Sequence, residues 1–253
     1  MKHPDLFLPW MDMMKPRAPA EVEGLRKIFE KHGIRKGSRI LDLASGIGRI
    51  SLNLAKVGYA VVGVDISPLY LRLAEKWALK ERVGDKIRFY RIDGGDAARQ
   101  LRKKEENFDA IINLSTSMGY YGEKDDLSTF TSLYDITSRR GLLVIETVNR
   151  DYLVKNFQSH SVSELDGIEW HDSRRLNLET SFMENSWKFY RKTRGSLKLV
   201  SDIPVSHRVY SLHELKKLVE SAGWKYLESY GTLRELAPLT TDSFHMTLVS
   251  KKY

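Results

Sequence analysis

Between residues 42 and 48 the chain runs Asp-Leu-Ala-Ser-Gly-Ile-Gly, and the chemistry of this stretch lies in how little side chain it carries. Small residues at Ala44, Gly46 and Gly48 let the main chain approach a ligand closely, and a helix beginning just beyond them offers free N–H groups. Asp65 stands 23 positions after Asp42, at the end of a second apolar run. A carboxylate there lies beside the turn and can accept both hydroxyls of a ribose. Together the turn and Asp65 indicate a cofactor that carries a nucleoside. The plainer alternative is a tight turn in which Asp65 only caps the helix begun by Ser67 and Pro68.

The cofactor can be narrowed. A dinucleotide fingerprint requires Gly-x-Gly-x-x-Gly, and counted from Gly46 its third position holds Ser51. Asp42 also stands two residues before the first small position, where a dinucleotide would bring a pyrophosphate against it. A ligand with an ammonium group suits that carboxylate better, and S-adenosylmethionine is such a ligand.

The elements that must position these residues follow from the hydrophobic rhythm. Leu25, Ile28 and Phe29 have helical spacing over 21–31, closed by Gly33. Apolar runs at 39–43, 60–65, 87–90, 108–114 and 141–148 then alternate with helical segments such as 67–82, where Ser67 caps and Pro68 takes the first helical position. That alternation predicts an α/β protein with a doubly wound, mostly parallel sheet covered on both faces. After Arg150 the period changes to two, with Leu197 and Leu199, then Val205, His207 and Val209, on one face. Three antiparallel strands are expected there, inserted into the α/β unit. Ser211 then caps a helix through Leu215 and Leu218 that ends at Gly223, and strands follow near 224–230 and 243–250. The expected division is an irregular, proline-punctuated arm over 1–20, a main domain of 21–166 and 211–253, and an insert over 167–210.

Composition excludes several classes. A chain of 253 residues buries roughly 73% of its unfolded surface, and 42% hydrophobic with 29% charged residues is the balance of an ordinary globular protein. The absence of cysteine removes disulfides, thiolate zinc sites and cysteine nucleophiles, and no metal site is expected. Apolar runs fall short of the roughly 20 residues that span a bilayer, and the first ten residues lack a signal peptide's apolar core. The cytoplasm is the expected compartment, with no membrane partner. Two glutamines, no cysteine and abundant Lys, Arg and Glu resemble the composition of a thermophile's protein. A net charge of +8 admits an anionic partner, nucleic acid included. The basic groups are short, however: Arg99, Arg102, Lys103 and Lys104 run straight into Glu105 and Glu106, and Lys188, Arg191, Lys192 and Arg194 are interrupted.

With these residues in view, the sequence resembles the class I S-adenosylmethionine-dependent methyltransferases over most of its length. ILDLASGIG at 40–48 resembles the family's first motif, with Ala44 in place of the first glycine, a departure that adds one methyl group. VVGVDIS at 61–67 resembles the second, IRFYRIDGGDA at 87–97 the third, and FDAIINLSTSMGYY at 108–121 the fourth strand with its substrate-facing loop. GLLVIETVNRD at 141–151 looks like the fifth strand, and HRVYSLHELKKLVESAGW at 207–224 like the late helix before the last two strands. The resemblance implies a Rossmann-like sheet of seven strands, the last antiparallel, with the insert as a small β lid. It implies S-adenosylmethionine as cofactor, S-adenosylhomocysteine as product, and a cofactor site of Asp42, Ala44, Ser45, Gly46, Gly48, Asp65, Ile66, Asp93, Gly94 and Asn113. Asp65 would hold the ribose and Asp93 the adenine amino group.

Methyl transfer is an in-line displacement at a carbon activated by a sulfonium, so the protein has chiefly to align the acceptor and exclude water. A general base is needed only for a protonated acceptor. Candidates to face the methyl group are Tyr120 and Tyr121 after the fourth strand, Glu146 at the end of the fifth, and His171 and His207 in the insert. Arg174, Arg175, Arg191 and Arg194 are candidates to hold an anionic acceptor, and Trp170, Trp187 and Tyr190 to line its pocket. The leading expectation is a methyltransferase acting on a small-molecule acceptor. An RNA methyltransferase, raised by the positive charge, and a non-catalytic protein that only binds S-adenosylmethionine are the alternatives. Against the RNA alternative, the loop after the fourth strand reads Asn113-Leu114-Ser115-Thr116, without the prolines of many base amino methyltransferases.

Overall fold

The structure, a computed structural model, describes residues 3–193 and 195–253; Arg194 lies outside the described residues. The prolines of the arm start helices and do not break them. Pro4 opens a 3-10 turn over Pro4–Phe7, Pro9 falls in the first turn of α1 (Leu8–Met14), Pro16 in a 3-10 turn over Lys15–Arg17, and Pro19 in the first turn of α2 (Ala18–His32). Proline suits these positions because its φ is already helical and the N–H it lacks would have no partner there. The arm expected to be irregular is therefore helical from Pro4 onward.

The alternation then proceeds as β1 (Arg39–Leu43), α3 (Arg49–Lys56), β2 (Ala60–Asp65), α4 (Pro68–Lys80), β3 (Ile87–Arg91), α5 (Ala97–Leu101), β4 (Phe108–Asn113), α6 (Glu123–Asp135) and β5 (Thr137–Val148). After the insert come α8 (Leu212–Ser221), β10 (Lys225–Tyr230) and β11 (His245–Lys251). The sheet has the order β10-β11-β5-β4-β1-β2-β3, all parallel except β11, which runs antiparallel to both neighbours. Successive strand residues face opposite layers. Leu41, Leu43, Ile111 and Leu143 pack with Phe130, Leu133, Leu215 and Trp224, whereas Ile40, Ala110, Ile112 and Val144 pack with Leu25, Ile28, Phe29 and Leu54. The strand order reverses between β1 and β4, which leaves a crevice at their carboxyl ends, the position where open α/β sheets bind ligands.

The insert follows α7 (Arg150–Lys155) and has four strands, β6 (His160–Leu165), β7 (Ile168–Asn177), β8 (Phe182–Thr193) and β9 (Ser196–Arg208), all antiparallel and paired in chain order. The sequence pattern missed β6. His-Ser-Val-Ser-Glu-Leu has no buried face, so no period-two stripe marks it. The boundary expected at 166/167 falls within the turn between β6 and β7, where Asp166 and Gly167 both take positive φ. The lid is held to the main domain where Arg208 N–H of β9 donates to Gly119 O at 2.9 Å. Arg208 also reaches Glu123 and Glu214. No helix of the described residues is long and apolar enough to cross a membrane.

Candidate active site

The turn after β1 is a run of left-handed backbone: Ala44 at φ +61°, Gly46 at +56° and Gly48 at +79°. Ser45 N–H donates to Val64 O at 2.9 Å and ties the turn to β2. Asp65 is 9% exposed, and its two oxygens accept from Gly46 N–H at 2.9 Å and Ser67 N–H at 2.8 Å. These main-chain donors fix the carboxylate at the carboxyl end of β2, while burial pushes its pKa up. Asp42, 3% exposed, accepts from Ser51 Oγ at 2.5 Å, and burial raises its carboxyl to about 6. Ser51, the residue that breaks the dinucleotide pattern, is thus the partner of that acid.

A cavity of about 510 Å³ opens above these ends. Asp42, Ala44, Ser45, Gly46, Asp65, Ile66, Asp93, Gly94 and Asn113 all line it, so nine of the ten expected cofactor residues come together. Gly48 does not line the cavity. A Cβ there would sit 2.7 Å from Leu52 Cδ1 and 3.0 Å from Ala74 Cβ, so its work is to bring α3 close to α4. Asp93 accepts from Gly95 N–H at 3.0 Å and from Tyr121 OH at 3.3 Å. Asn113 donates to Leu43 O at 3.2 Å, and its buried Oδ1 accepts from no group of the described residues.

The opposite wall comes from the arm and the lid. Phe7, Trp10, Met11 and Met14 of the arm line the cavity together with Trp170 and Trp187. Trp170 and Phe189 are cross-strand partners on β7 and β8, with Trp187 on the same face, and the arm's rings dock on them. Ring centroids lie 5.1 Å apart for Phe7 and Phe189 and 5.3 Å for Trp10 and Trp170, both edge-on, the favoured geometry for aromatic pairs. Tyr70 OH, from α4, donates to Pro4 O at 2.8 Å and holds the start of the arm.

The catalytic candidates are dispersed. Tyr120 and Tyr121 line the cavity. His207 does not: its ring lies 5.9 Å from that of Tyr120, and burial pushes its pKa down to about 4. His171 pairs with Glu169 at 2.9 Å on the lid, outside the cavity lining. Arg174 is bound to Asp172 and Ser161, Arg175 to Glu184, and Arg191 is exposed. Neither these three nor Tyr190 reaches the cavity lining.

Glu146 lies in a second cavity of about 410 Å³ that adjoins the first and shares Met14 and Ser115 with it. Between them stands Arg49 of α3, which pairs with Glu21 of α2 and donates to Ser115 Oγ at 2.7 Å. Ser115 and Thr116 both take φ of +60°. A β-branched residue is rare in that conformation, and Thr116 is held in it by its N–H, which donates to Glu146 O at 3.2 Å. Glu21, Arg49 and the arm aromatics are the site residues that the sequence reading did not single out.

Comparison with known proteins agrees with this geometry. Residues 40–141 match a family described as a methyltransferase domain. The chain is 26% identical over 256 residues to a putative methyltransferase of Geobacillus sp. (strain WCH70), covering 97% of this chain and 98% of that one. A crystal structure of an S-adenosylmethionine-dependent methyltransferase from Clostridium acetobutylicum has the same fold, with a TM-score of 0.78 at 15% identity over 93% of this chain and 92% of that one. So does CalS10, an amino pentose methyltransferase from Micromonospora echinaspora solved with S-adenosylmethionine bound, at a TM-score of 0.66 and 14% identity over 92% and 90% of the two chains. Residues 40–141 are thus a methyltransferase domain, and the chain has the fold of S-adenosylmethionine-dependent methyltransferases.

Proposed function

We propose that the enzyme methylates a small-molecule acceptor enclosed between the strand ends and the roof formed by arm and lid. The observation that carries this reading is the single cavity of about 510 Å³ whose one wall is the glycine turn with Asp65 and whose other wall is Phe7, Trp10, Trp170 and Trp187. That size is typical of small-ligand pockets. The basic groups that raised nucleic acid are largely paired off on the surface: Arg99 with Asp96, Arg102 with Asp135, Lys188 with Asp202 and Lys192 with Glu164.

The lining residues suit S-adenosylmethionine. Asn113 offers a buried acceptor with no partner, and the space beside Gly46 is open, with Met11 Cε the nearest atom at 3.7 Å from where a Cβ would stand. When bound, the cofactor supplies a methyl carbon activated by a sulfonium leaving group. In this assignment Asp65, fixed by two main-chain N–H groups, accepts from the ribose hydroxyls. Asp93 accepts from the adenine amino group, and Asp42 with Asn113 Oδ1 faces the ammonium end. Ala44, Ser45, Gly46, Ile66 and Gly94 shape the floor, and the aromatic roof excludes water. Tyr120 borders the acceptor's end, while Tyr121, whose OH donates to Asp93, stands beside the adenine.

Isothermal titration of S-adenosylmethionine, S-adenosylhomocysteine and NAD tests the cofactor half, with micromolar binding expected for the first two alone. Labelled methyl transfer to a small-metabolite extract and to bulk tRNA tests the acceptor half. Label in tRNA and none in the metabolites would overturn the small-molecule reading.

A further inference from the structure

The second cavity has its charges sorted by depth. Glu146 of β5 and Glu21 of α2, each 6% exposed, lie at its floor, His245 is half-buried, and Arg17 and Arg234 are exposed at its rim. Glu21 is neutralised by Arg49. Glu146 has no arginine, lysine or histidine within ion-pair distance among the described residues; Arg49, itself paired with Glu21, and Arg234 act on it only through space, and the Ser115 N–H supports it. A carboxylate buried without a cation is unfavourable, and burial beside Glu21 pushes the Glu146 carboxyl up to about 7. At the rim, Arg17 has no carboxylate partner among the described residues, and Arg234 meets only its neighbour Glu235, at 3.9 Å.

A ligand that completes this arrangement carries a cation at its deep end and an anion at its shallow end. The cation is organic, since no group of three metal-ligating side chains is gathered among the described residues. We propose that the second cavity binds the head of the acceptor, and that this head is a small amine bearing an anionic group, its ammonium on Glu146 and its anion between Arg17 and Arg234. This rests on the small-molecule reading above and names the class of acceptor. The shared walls at Met14 and Ser115 put such an amine next to the cofactor cavity, and the backbone of Leu233 closes the far side against α2, where Gly24 leaves no room for a Cβ: one would stand 1.7 Å from Leu233 O.

The test is titration of the full chain, with and without saturating S-adenosylhomocysteine, with sarcosine, β-alanine and γ-aminobutyrate, using propionate and propylamine as controls that lack one charge each. At least one amino acid is expected to bind roughly tenfold more tightly than either control, each lost charge-assisted contact accounting for about a factor of ten. Glu146→Gln should weaken that amino acid about tenfold and leave S-adenosylhomocysteine affinity unchanged. Paired Arg17→Ala and Arg234→Ala changes should weaken the amino acid but leave propylamine untouched, and they decide the matter if Glu146→Gln fails to fold. Should S-adenosylhomocysteine bind while no amino acid does, or should amino acids bind equally to all variants, the inference falls and the cofactor assignment stands. Failure of S-adenosylhomocysteine to bind counts instead against the cofactor assignment, and the titration without it still decides the amine site.

Discussion

The two walls of the main cavity are built differently. The wall proposed for the cofactor is made by short runs of residues at the ends of adjacent strands, and much of it is main chain: Gly46 N–H and Ser67 N–H aim Asp65, and Ser45 N–H ties the turn to β2. The wall proposed for the acceptor is made by side chains from the arm, Phe7 and Trp10, and, more than 150 residues later in sequence, from β7 and β8, meeting edge to face. A main-chain cradle needs small residues at fixed spacing and so leaves a pattern in the chain. A side-chain roof needs only rings of suitable size, and any of several arrangements would serve.

The largest effect is expected where the cradle meets charge. Asp65→Ala removes an acceptor already oriented for two hydroxyls, and two hydrogen bonds to a carboxylate are together worth about 3 kcal/mol or more, a loss of roughly a hundredfold in S-adenosylhomocysteine affinity by titration. A change below fivefold would mean that the ribose does not depend on this wall, and the contrast between the two walls would fail.

Next comes Glu146, in the adjoining second cavity. Its carboxyl is raised from the ordinary 4.5 to about 7, faced by Glu21, Arg49, Arg234 and the Ser115 N–H. A raised carboxyl favours folding while protonated, so its contribution is fully present below about pH 4.5 and is lost as pH rises through about 7. Glu146→Gln should therefore match wild type in urea unfolding at pH 4.5 and exceed it at pH 8.5, by at most about 3 kcal/mol. His207 acts in the other direction. Its pKa is lowered to about 4, so its contribution is present above about 6.5 and lost as pH falls through 4. A Glu146→Gln advantage that is the same at both pH values would show that the carboxylate is already compensated.

A smaller effect belongs to the roof. Trp10→Ala removes ring contacts to Trp170 and Phe189 at 5.3 and 6.2 Å. Aromatic pairs are worth about 0.5–1.5 kcal/mol each, so tryptic cleavage after Arg17 should quicken up to about tenfold while the melting transition of the sheet barely moves. Equal loss in both would make the arm part of the core and not a roof.

How far the sequence exposed the site follows from the same distinction. The turn, Asp65 and the helix capped by Ser211 rest on local spacing, and the structure has them; the antiparallel last strand, which the structure also has, was implied by the family resemblance and not by spacing. The helical arm was misread because a proline is the same letter whether it begins a helix or breaks one. The Arg49–Glu21 pair joins residues 28 apart and carries no joint signature. One signal was present nonetheless: Glu21 lies on the same helical face as Leu25 and Ile28, where a charge is out of place unless paired. Glu146 is legible in the sequence only through its place at the end of the fifth strand, as a candidate base.

The smallest effect separates two neighbours in the turn. Ala44 and Gly46 share left-handed backbone at φ +61° and +56°, but only Ala44 bears a Cβ there. That conformation disfavours alanine by about 1–2 kcal/mol, while glycine loses about 0.5–1 kcal/mol more chain entropy on folding, so Ala44→Gly should stabilise by about 0.5 kcal/mol and leave cofactor affinity unchanged. Gly46→Ala adds the same strain with no steric clash, since Met11 Cε at 3.7 Å is the nearest contact, but its methyl group enters the cofactor space. Denaturant unfolding with S-adenosylhomocysteine titration distinguishes the two: Gly46→Ala should weaken binding by more than its stability loss explains. Equal binding by both variants would mean that the main chain at Gly46 does not approach the cofactor, and that the turn serves only to join β1 to α3.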